Sequence, residues 1–116
     1  MDKPLETTVR QVAGVAVIDL RGDIDGSSEQ ALNAAYAEAS ANGSTSVLLN
    51  FSGVGYINST GIALIVGVLA QARKARRQVS TFGLSEHYTE IFQITRLADF
   101  MSIYPDEASA LGHTAS

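Results

Sequence analysis

The sequence predicts an α/β domain with a mixed sheet of about five strands, and three observations support this prediction. Short apolar runs of strand length alternate with longer segments of helical length that lack proline. The run from Val47 to Phe51 is nearly continuously apolar, which is typical of a strand covered on both faces. The predicted order is β-β-α-β-α-β-α-β-α, and strands separated by helices indicate parallel neighbours with right-handed crossovers.

The chain begins with a predicted β-hairpin. Thr7–Val12 and Val15–Leu20 have strand character and are joined at Ala13-Gly14, which favours a tight turn. The first strand alternates weakly, as expected of an edge strand, and the second is more apolar. A turn at Arg21-Gly22 is expected to lead into the next segment.

The first helix is predicted from its cap and its apolar spacing. Ser27 and Gln30 have the spacing of a capping box, which indicates the helix start. Asn42-Gly43 should end the helix, because these residues tolerate a left-handed conformation. Apolar residues at i, i+3, i+4 and i+7 predict its buried face: Leu32, Ala35, Tyr36 and Ala39.

The second helix is predicted over Ile62–Arg77, preceded by good N-cap residues. Leu64 and Val68 fall outside its predicted core stripe, so the helix is apolar over more than the usual face. Gly67 at its centre indicates close approach by the sheet or by another protein. The residues predicted to face the core are Ile62, Ile65, Val66 and Leu69.

The last third of the chain is predicted to add two strands and two helices. Gln78–Gly83 and Met101–Tyr104 are the strands, and Asp106–Leu111 is a short helix after Pro105. Ser85 should cap the helix between the two strands. The buried face of that helix is predicted to contain Tyr88, Ile91, Phe92 and Thr95.

Length and composition exclude several classes of protein. The 116 residues suit one domain spanning 1–116, with 1–6 and 112–116 expected to fray. A net charge of −4 without a long basic run argues against direct nucleic-acid binding. The absence of cysteine excludes disulfides and most zinc sites and fits a cytoplasmic protein. No signal peptide or membrane span is visible, and no cofactor is predicted, so we expect a soluble protein.

Two neighbouring hydroxyls stand at the start of the second helix. Asn58-Ser59-Thr60 precedes its first apolar residue, where unpaired N–H groups and the helix dipole favour an anion. A hydroxyl there can serve as a cap, as a nucleophile or as a phosphorylation switch. A catalytic serine would need a general base beside it. Ser59 also does not lie in a Gly-x-Ser-x-Gly elbow, because Ile57 occupies the first glycine position.

Other polar groups have simpler interpretations beside functional ones. Asp23 and Asp25 follow a strand. They could be turn residues, ligands of a metal ion or contacts for a partner protein. The glycines after the central strand lack the Gly-Lys-Ser/Thr of a phosphate-binding loop. The basic segment Arg73–Arg77 is typical of a solvated helix end, and binding of anionic lipid or nucleic acid is the alternative. His87 is expected to be a surface residue.

Two segments together resemble a known family. Gly22-Asp23-Ile24-Asp25 after a strand, followed by the segment from Val47 to Gly61, is similar to the STAS domain of bacterial anti-sigma factor antagonists. The second segment is the more specific of the two. The predicted order of elements fits that domain over nearly the whole chain.

The resemblance implies a non-enzymatic protein that binds an anti-sigma factor serine kinase and so frees a sigma factor. In that family the kinase inactivates the antagonist by phosphorylating a serine after an acidic residue, and a phosphatase reverses the change. The matching serine is Ser59, and this chain has Asn58 where the family usually has aspartate. The resemblance and the surplus apolar positions together suggest a partner contact at Asp23, Asp25, Asn58, Ser59, Thr60, Gly61, Leu64 and Val68.

Two other functions stay open at the level of sequence. One is a STAS scaffold or transport-associated module that is never phosphorylated. The other is a small ligand-binding or hydrolytic α/β protein that uses Ser59 and the two aspartates.

Overall fold

The computed structural model describes residues 3–41 and 43–114. Within them the strands are β1 (Glu6–Val12), β2 (Val15–Ile24), β3 (Ser46–Ile57), β4 (Gln78–Phe82) and β5 (Ser102–Tyr104). The α-helices are α1 (Glu29–Ala41), α2 (Ser59–Lys74), α3 (Glu86–Ile94) and α4 (Glu107–Thr114), with short 3-10 turns at Gly26–Ser28 and Leu97–Asp99. The predicted α/β class is confirmed.

The five strands form one mixed sheet in the order β1-β2-β3-β4-β5. β1 and β2 are antiparallel, and every later neighbour is parallel. Because β2 and β3 run in the same direction, their carboxyl ends meet at one edge, where Ile24 is paired with Ile57. The start of α2 lies directly beyond that edge.

The sheet has a main core on one face and a smaller core on the other. In β2, Ala16, Ile18 and Leu20 point into the main core, which α1, α2 and α3 cover. Val15 and Val17 point to the opposite face, where α4 packs. This alternation follows from the period of two along a strand.

The strands β2 and β3 are both longer than predicted. The predicted turn at Arg21-Gly22 is wrong, because β2 continues to Ile24 through irregularities in its pairing with β3. Gly22 has a φ of +105°, and a Cβ atom there would lie 2.5 Å from the Pro4 carbonyl oxygen. Gly22 therefore allows an irregularity within β2 and is not part of a turn.

The helix α1 has the predicted core face but a different start. Leu32, Ala35, Tyr36 and Ala39 are buried, as predicted. The predicted capping box of Ser27 and Gln30 is wrong, because Asp25 and Ser28 form the box around the preceding 3-10 turn. At the end of α1, Asn42 lies outside the described residues, and Gly43 has the expected left-handed φ of +74°.

The helix α2 begins at Ser59, three residues earlier than predicted, and its buried face is rotated from the predicted one. Val66 was predicted to face the core, but 46% of its surface is exposed. Val68 was predicted to lie outside the core, but it is only 3% exposed. The sheet contacts Ile65, Val68 and Leu69, and this contact determines which stripe is buried.

The remaining elements agree with the predictions except near the helix ends. Phe92 in α3 is buried, whereas Thr95 is exposed because it lies at the C-cap of that helix. The helix α4 continues to Thr114, further than the frayed end expected at 112. The longest helix, α2, has 16 residues, and no helix of the described segments is long and apolar enough to span a membrane.

Candidate functional site

The site begins with the capped N-terminus of α2. Asn58 has an extended backbone, and its side-chain oxygen accepts a hydrogen bond of 2.8 Å from the Gly61 N–H. Ser59 is the first helical residue, and both Ser59 and Thr60 are exposed. The predicted capping role of this cluster is therefore confirmed for Asn58. Because Asn58 provides the side-chain cap, the hydroxyl of Ser59 is available for another role.

This helix start is fixed to the ends of β2 and β3 by short contacts. The Asn58 N–H donates to the Ile24 carbonyl oxygen at 3.1 Å. A Cβ atom on Gly61 would lie 2.2 Å from that same oxygen, so only glycine fits at this position. The Ile57 N–H donates to the Tyr88 hydroxyl at 2.9 Å, which ties the strand end to α3. The serine is therefore held on a rigid support.

In the segment after β2, the carboxylate of Asp25 already accepts hydrogen bonds from within the chain. The Asp25 carboxylate accepts the Ser27 hydroxyl at 2.5 Å and the Ser27 N–H at 2.9 Å. These two bonds, the hydroxyl first, lower the pKa of Asp25 below its ordinary value. The Asp25 N–H donates to the buried Ser28 hydroxyl, which itself donates to the Asp23 carbonyl oxygen. Asp25 is thus a structural cap that carries a negative charge.

Asp23 lies within β2 and its side chain is half-buried. Its carboxylate accepts the Lys3 N–H at 3.2 Å, and its own N–H donates to the Lys3 carbonyl oxygen at 2.8 Å. It is paired with Tyr56 in β3, an aromatic residue with 54% of its surface exposed. Asp23 is therefore a strand residue rather than a loop residue.

The structure brings the hydroxyl segment and the acidic segment together at one edge of the sheet. Ile24 and Ile57, which precede the two segments, are paired neighbours. The Thr60 methyl group would lie 3.5 Å from a Cβ atom on Gly26. The predicted grouping of Asp25, Asn58 and the two hydroxyl residues is thus present in the fold.

Two of the residues predicted to contact a partner are buried within the chain. Gly61 is buried against β2, and its role is to let α2 approach Ile24 closely. Val68 is buried in the main core. Leu64 is half-buried and packs against that core, so only part of its side chain is accessible to a partner.

The accessible face of α2 instead passes through Ala63 and Gly67, which are exposed one and two turns after Ser59. The sequence-based prediction of this face did not include Ala63. Helical spacing counted from Ser59, instead of from Ile62, would have identified it. The prediction also missed Tyr88 as a support of the site, because the bond to Ile57 spans 31 residues.

The arrangement gives no support for metal or base chemistry at this edge. Among the described residues, no group of three or more His, Asp or Glu side chains is placed to hold a metal ion. The ring of His87 is exposed and contacts Tyr88 at 4.9 Å between ring centroids. What the geometry offers is an exposed hydroxyl at a helix N-terminus, at the same edge of the sheet as Asp23 and Asp25.

Comparisons with known proteins agree with this fold. The family model described as "Mlab, STAS domain" matches residues 7–104. An anti-sigma-B factor antagonist of Listeria monocytogenes is 31% identical over 67 residues, which are 58% of this chain and 59% of that protein. The match thus spans less than two thirds of that relative.

Solved structures share the fold at low sequence identity. An anti-sigma factor antagonist from Mycobacterium paratuberculosis has a TM-score of 0.84 and 20% identity, with 100% of both chains covered. The Bacillus cell fate determinant SpoIIAA in its phosphorylated form has a TM-score of 0.70 and 20% identity, covering 93% of this chain and 98% of that one. Because the family match extends from β1 to β5, this chain belongs to the STAS domain family.

Proposed function

We propose that this chain is an anti-sigma factor antagonist that binds an anti-sigma factor serine kinase and thereby frees a sigma factor. Phosphorylation of Ser59 switches the binding off, and a phosphatase restores it. The protein acts by docking in the cytoplasm and catalyses no reaction itself. The observation that carries the proposal is the exposed Ser59 at the rigid, capped start of α2.

A phosphate on Ser59 is compatible with the fold. The first N–H groups of a helix have no partner within the helix, and the dipole there is positive, so an anion is tolerated. Asn58 already caps the Gly61 N–H, and the phosphate would not displace it. Phosphorylation therefore acts on the docking surface and leaves the folded structure in place.

The charge change is large enough to release a partner. A phosphoserine adds about −1.5 to −2 charges at pH 7. It appears on an edge that already holds the carboxylates of Asp23 and Asp25. Desolvation and like-charge repulsion in an interface amount to several kcal/mol, and about 1.4 kcal/mol is a tenfold change in affinity. Two or three such tenfold losses of affinity suffice to end binding at cellular concentrations.

The docking surface that we propose extends from Ser59 along α2 and across to the acidic segment. Ala63 and Gly67 are small and exposed, so a partner can approach the helix backbone closely. A Cβ atom on Gly67 would meet nothing within 4 Å inside this chain, so packing within the domain does not require glycine there. Tyr56, on the same edge, adds an exposed aromatic side chain of the kind enriched in interfaces.

The proposal is tested by isolating the partner and modifying the chain. A pull-down from the source cell should retain an ATP-binding kinase of the anti-sigma type. Incubation of that kinase with ATP and this chain, followed by mass spectrometry, should place one phosphate on Ser59. The Ser59→Ala variant should bind the kinase and acquire no phosphate. A phosphate that persists in Ser59→Ala would contradict the assignment.

A second function is favoured by one observation, the neutral Asn58 beside Ser59. The family that this chain resembles usually has aspartate there, and without that charge this chain would be a STAS interaction module that is bound but never phosphorylated. The same mass spectrometry separates the two functions. No phosphate on the natural chain, together with a phosphate on Asn58→Asp, would support this second function.

A further inference from the structure

An apolar groove lies near the other end of α2 from Ser59. It has a volume of about 330 Å³ and separates α2 from the segment that follows α3. Its apolar lining comes from Val66, Leu69, Ala70, Leu97 and Phe100. The segment opposite α2 turns away because Arg96 adopts a left-handed φ of 67° before the 3-10 turn at Leu97–Asp99. We call this cavity the α2–Phe100 groove.

The groove leaves large apolar side chains in contact with water. Val66 is 46% exposed and Phe100 is 53% exposed, while Leu69 and Leu97 in the same lining are buried. Single exposed apolar residues are ordinary, but two that share one concave lining form a binding surface. The volume lies at the lower end of the range for pockets that hold small molecules, about 300–1,000 Å³.

The rim of the groove is positively charged although the chain as a whole is negative. The guanidinium of Arg73 lies 5.4 Å from the centre of the Phe100 ring. Among the described residues, no carboxylate lies within ion-pair distance of Arg73. Arg96 also lines the groove, and its ion pair with Asp99 is long, 3.8 Å, between two exposed side chains. Such a pair is readily exchanged for a better anion.

The charge distribution over the chain strengthens this contrast. The net charge is −4, with 8 Lys and Arg residues in total. Five of these eight lie between positions 73 and 96, at the end of α2 and after α3: Arg73, Lys74, Arg76, Arg77 and Arg96. The same interval contains two acidic residues, Glu86 and Glu90, so it is net positive in a chain that is net negative and favours an anion over a cation.

We propose that the α2–Phe100 groove binds a small amphipathic anion, of which a medium-chain carboxylate is the simplest example. The hydrocarbon tail covers Val66 and Phe100, and the carboxylate meets Arg73 at the rim. A protein helix, about 10 Å across with its side chains, is too wide to enter a cavity of this volume. A fully polar anion would leave the apolar lining exposed.

This ligand would bind away from the proposed kinase-docking surface. Arg73 follows Ser59 by 14 residues of one helix, which corresponds to about 21 Å at a rise of ~1.5 Å per residue. The inference does not rest on the proposed function, and its test needs no kinase.

The test is an NMR titration of the full ¹⁵N-labelled chain with decanoate, below the concentration at which micelles form. Decanol and decyltrimethylammonium, which have the same chain length but different head groups, are titrated in parallel. We expect saturable shifts for decanoate that are confined to the backbone amides of residues 66–73 and 95–101. Decanol should bind at least tenfold more weakly, and the cation more weakly still. Equal affinity for decanol, or shifts spread over the whole surface, would overturn the proposal.

Three variants locate the site. Ala70→Trp places a large ring in the groove from an exposed helix position and should abolish saturable binding. Arg73→Gln should lower the affinity for decanoate to that for decanol. Arg76→Gln removes an equal charge nearby from a residue that does not line the groove, and should change the affinity by less than twofold. Decanoate binding that survives Ala70→Trp in a variant with an unchanged amide spectrum elsewhere would also overturn the proposal.

Discussion

At the scale of single residues, the site depends on a division of labour between Asn58 and Ser59. The Asn58 side chain satisfies the Gly61 N–H, so the helix start does not need the serine hydroxyl. Because asparagine is neutral, the negative charge at this edge comes from Asp23 and Asp25 and, in the proposed switch, from a phosphate on Ser59. A residue that both capped the helix and received the phosphate would couple docking to stability. Here Asn58 is the cap, and the proposed phosphorylation site is the adjacent Ser59.

This division predicts the effect of removing the cap. Asn58→Ala should lower the free energy of unfolding by about 1 kcal/mol, because the Gly61 N–H loses its acceptor. Asn58→Ser should retain most of the stability, and Ser59→Ala should change it little, since no capping bond comes from that hydroxyl. Urea denaturation of the three variants measures these differences. A loss in Ser59→Ala equal to that in Asn58→Ala would contradict the assigned roles.

The sequence predicted this cap because Asn-Ser-Thr before an apolar helical segment is a strong signal. It failed at Ser27 and Gln30, where the same logic selected the wrong pair. Hydroxyl and carboxyl residues are frequent around Asp25, and several of them have spacings that suit a cap. Only the path of the chain after β2 decides which one accepts the bond.

At the scale of elements, α2 contains two glycines with opposite roles. Gly61 is buried, and a Cβ atom there would lie 2.2 Å from a backbone oxygen of Ile24. Gly67 is exposed, and a Cβ atom there would meet nothing within 4 Å. The first glycine is required by the contact between helix and strand. The second is free to serve a partner.

The same substitution at these two positions should therefore change stability in opposite directions. Gly61→Ala should destabilise the fold by about 1–3 kcal/mol, because the added methyl group forces α2 away from β2. Gly67→Ala should stabilise it by about 1 kcal/mol through helix propensity. Thermal and urea denaturation check both values. A neutral Gly61→Ala would contradict the close contact.

Gly67→Ala also tests the docking surface. If the kinase approaches the helix backbone as proposed, the more stable variant should bind it more weakly than the natural chain. Unchanged affinity would remove Gly67 from the surface.

The register of α2 could not be predicted from its sequence. The helix is apolar at so many positions that its periodicity fits more than one buried stripe. Val66 and Val68, two positions apart, point to nearly opposite sides of the helix, and both are apolar enough to face the core. The contact of Gly61 with Ile24 fixes the rotation of the helix, and this contact depends on the length of β2. Because β2 was predicted to end at Leu20, this contact was not foreseen, and Val66 was assigned to the core in place of Val68.

At the scale of the whole molecule, an ionic network joins the first strands to the last helix. The Arg10 guanidinium donates to Asp19 at 2.6 and 2.9 Å and to Glu107 at 2.6 Å. Asn50 donates to the same Asp19 carboxylate at 2.7 Å. The bonds from Arg10, and then that from Asn50, outweigh partial burial and hold the pKa of Asp19 below its ordinary value. The network fastens α4 over the smaller core.

This network predicts a specific dependence on pH. Because the pKa of Asp19 is lower in the folded state, its contribution is present above the ordinary pKa and is lost as the pH falls through the folded value. Asp19→Asn should therefore be less stable by about 1.5–3 kcal/mol at pH 7, and the difference should shrink below about pH 4. Denaturation at several pH values measures it. The control is Asp99→Asn, whose exposed ion pair should contribute under about 1 kcal/mol. A difference independent of pH would contradict the role of Asp19.

The order of the elements was predictable because crossover rules leave few topologies for alternating strands and helices. The sequence therefore predicted a mixed sheet in which strands separated by helices are parallel neighbours, as β2, β3, β4 and β5 are. The ionic network was not predictable, since Arg10 and Glu107 are 97 residues apart and neither belongs to a local pattern. The α2–Phe100 groove was not predictable either, because it arises where the left-handed turn at Arg96 redirects the chain.

The most direct test of the account is the affinity of the kinase for Ser59→Asp and Ser59→Ala, measured by calorimetry on the purified pair. We expect Ser59→Ala to bind like the natural chain, and Ser59→Asp to bind at least tenfold more weakly, with nearly the same melting temperature. One added charge at this exposed hydroxyl would then act on docking and not on folding. Equal affinity of the two variants would contradict the proposed switch.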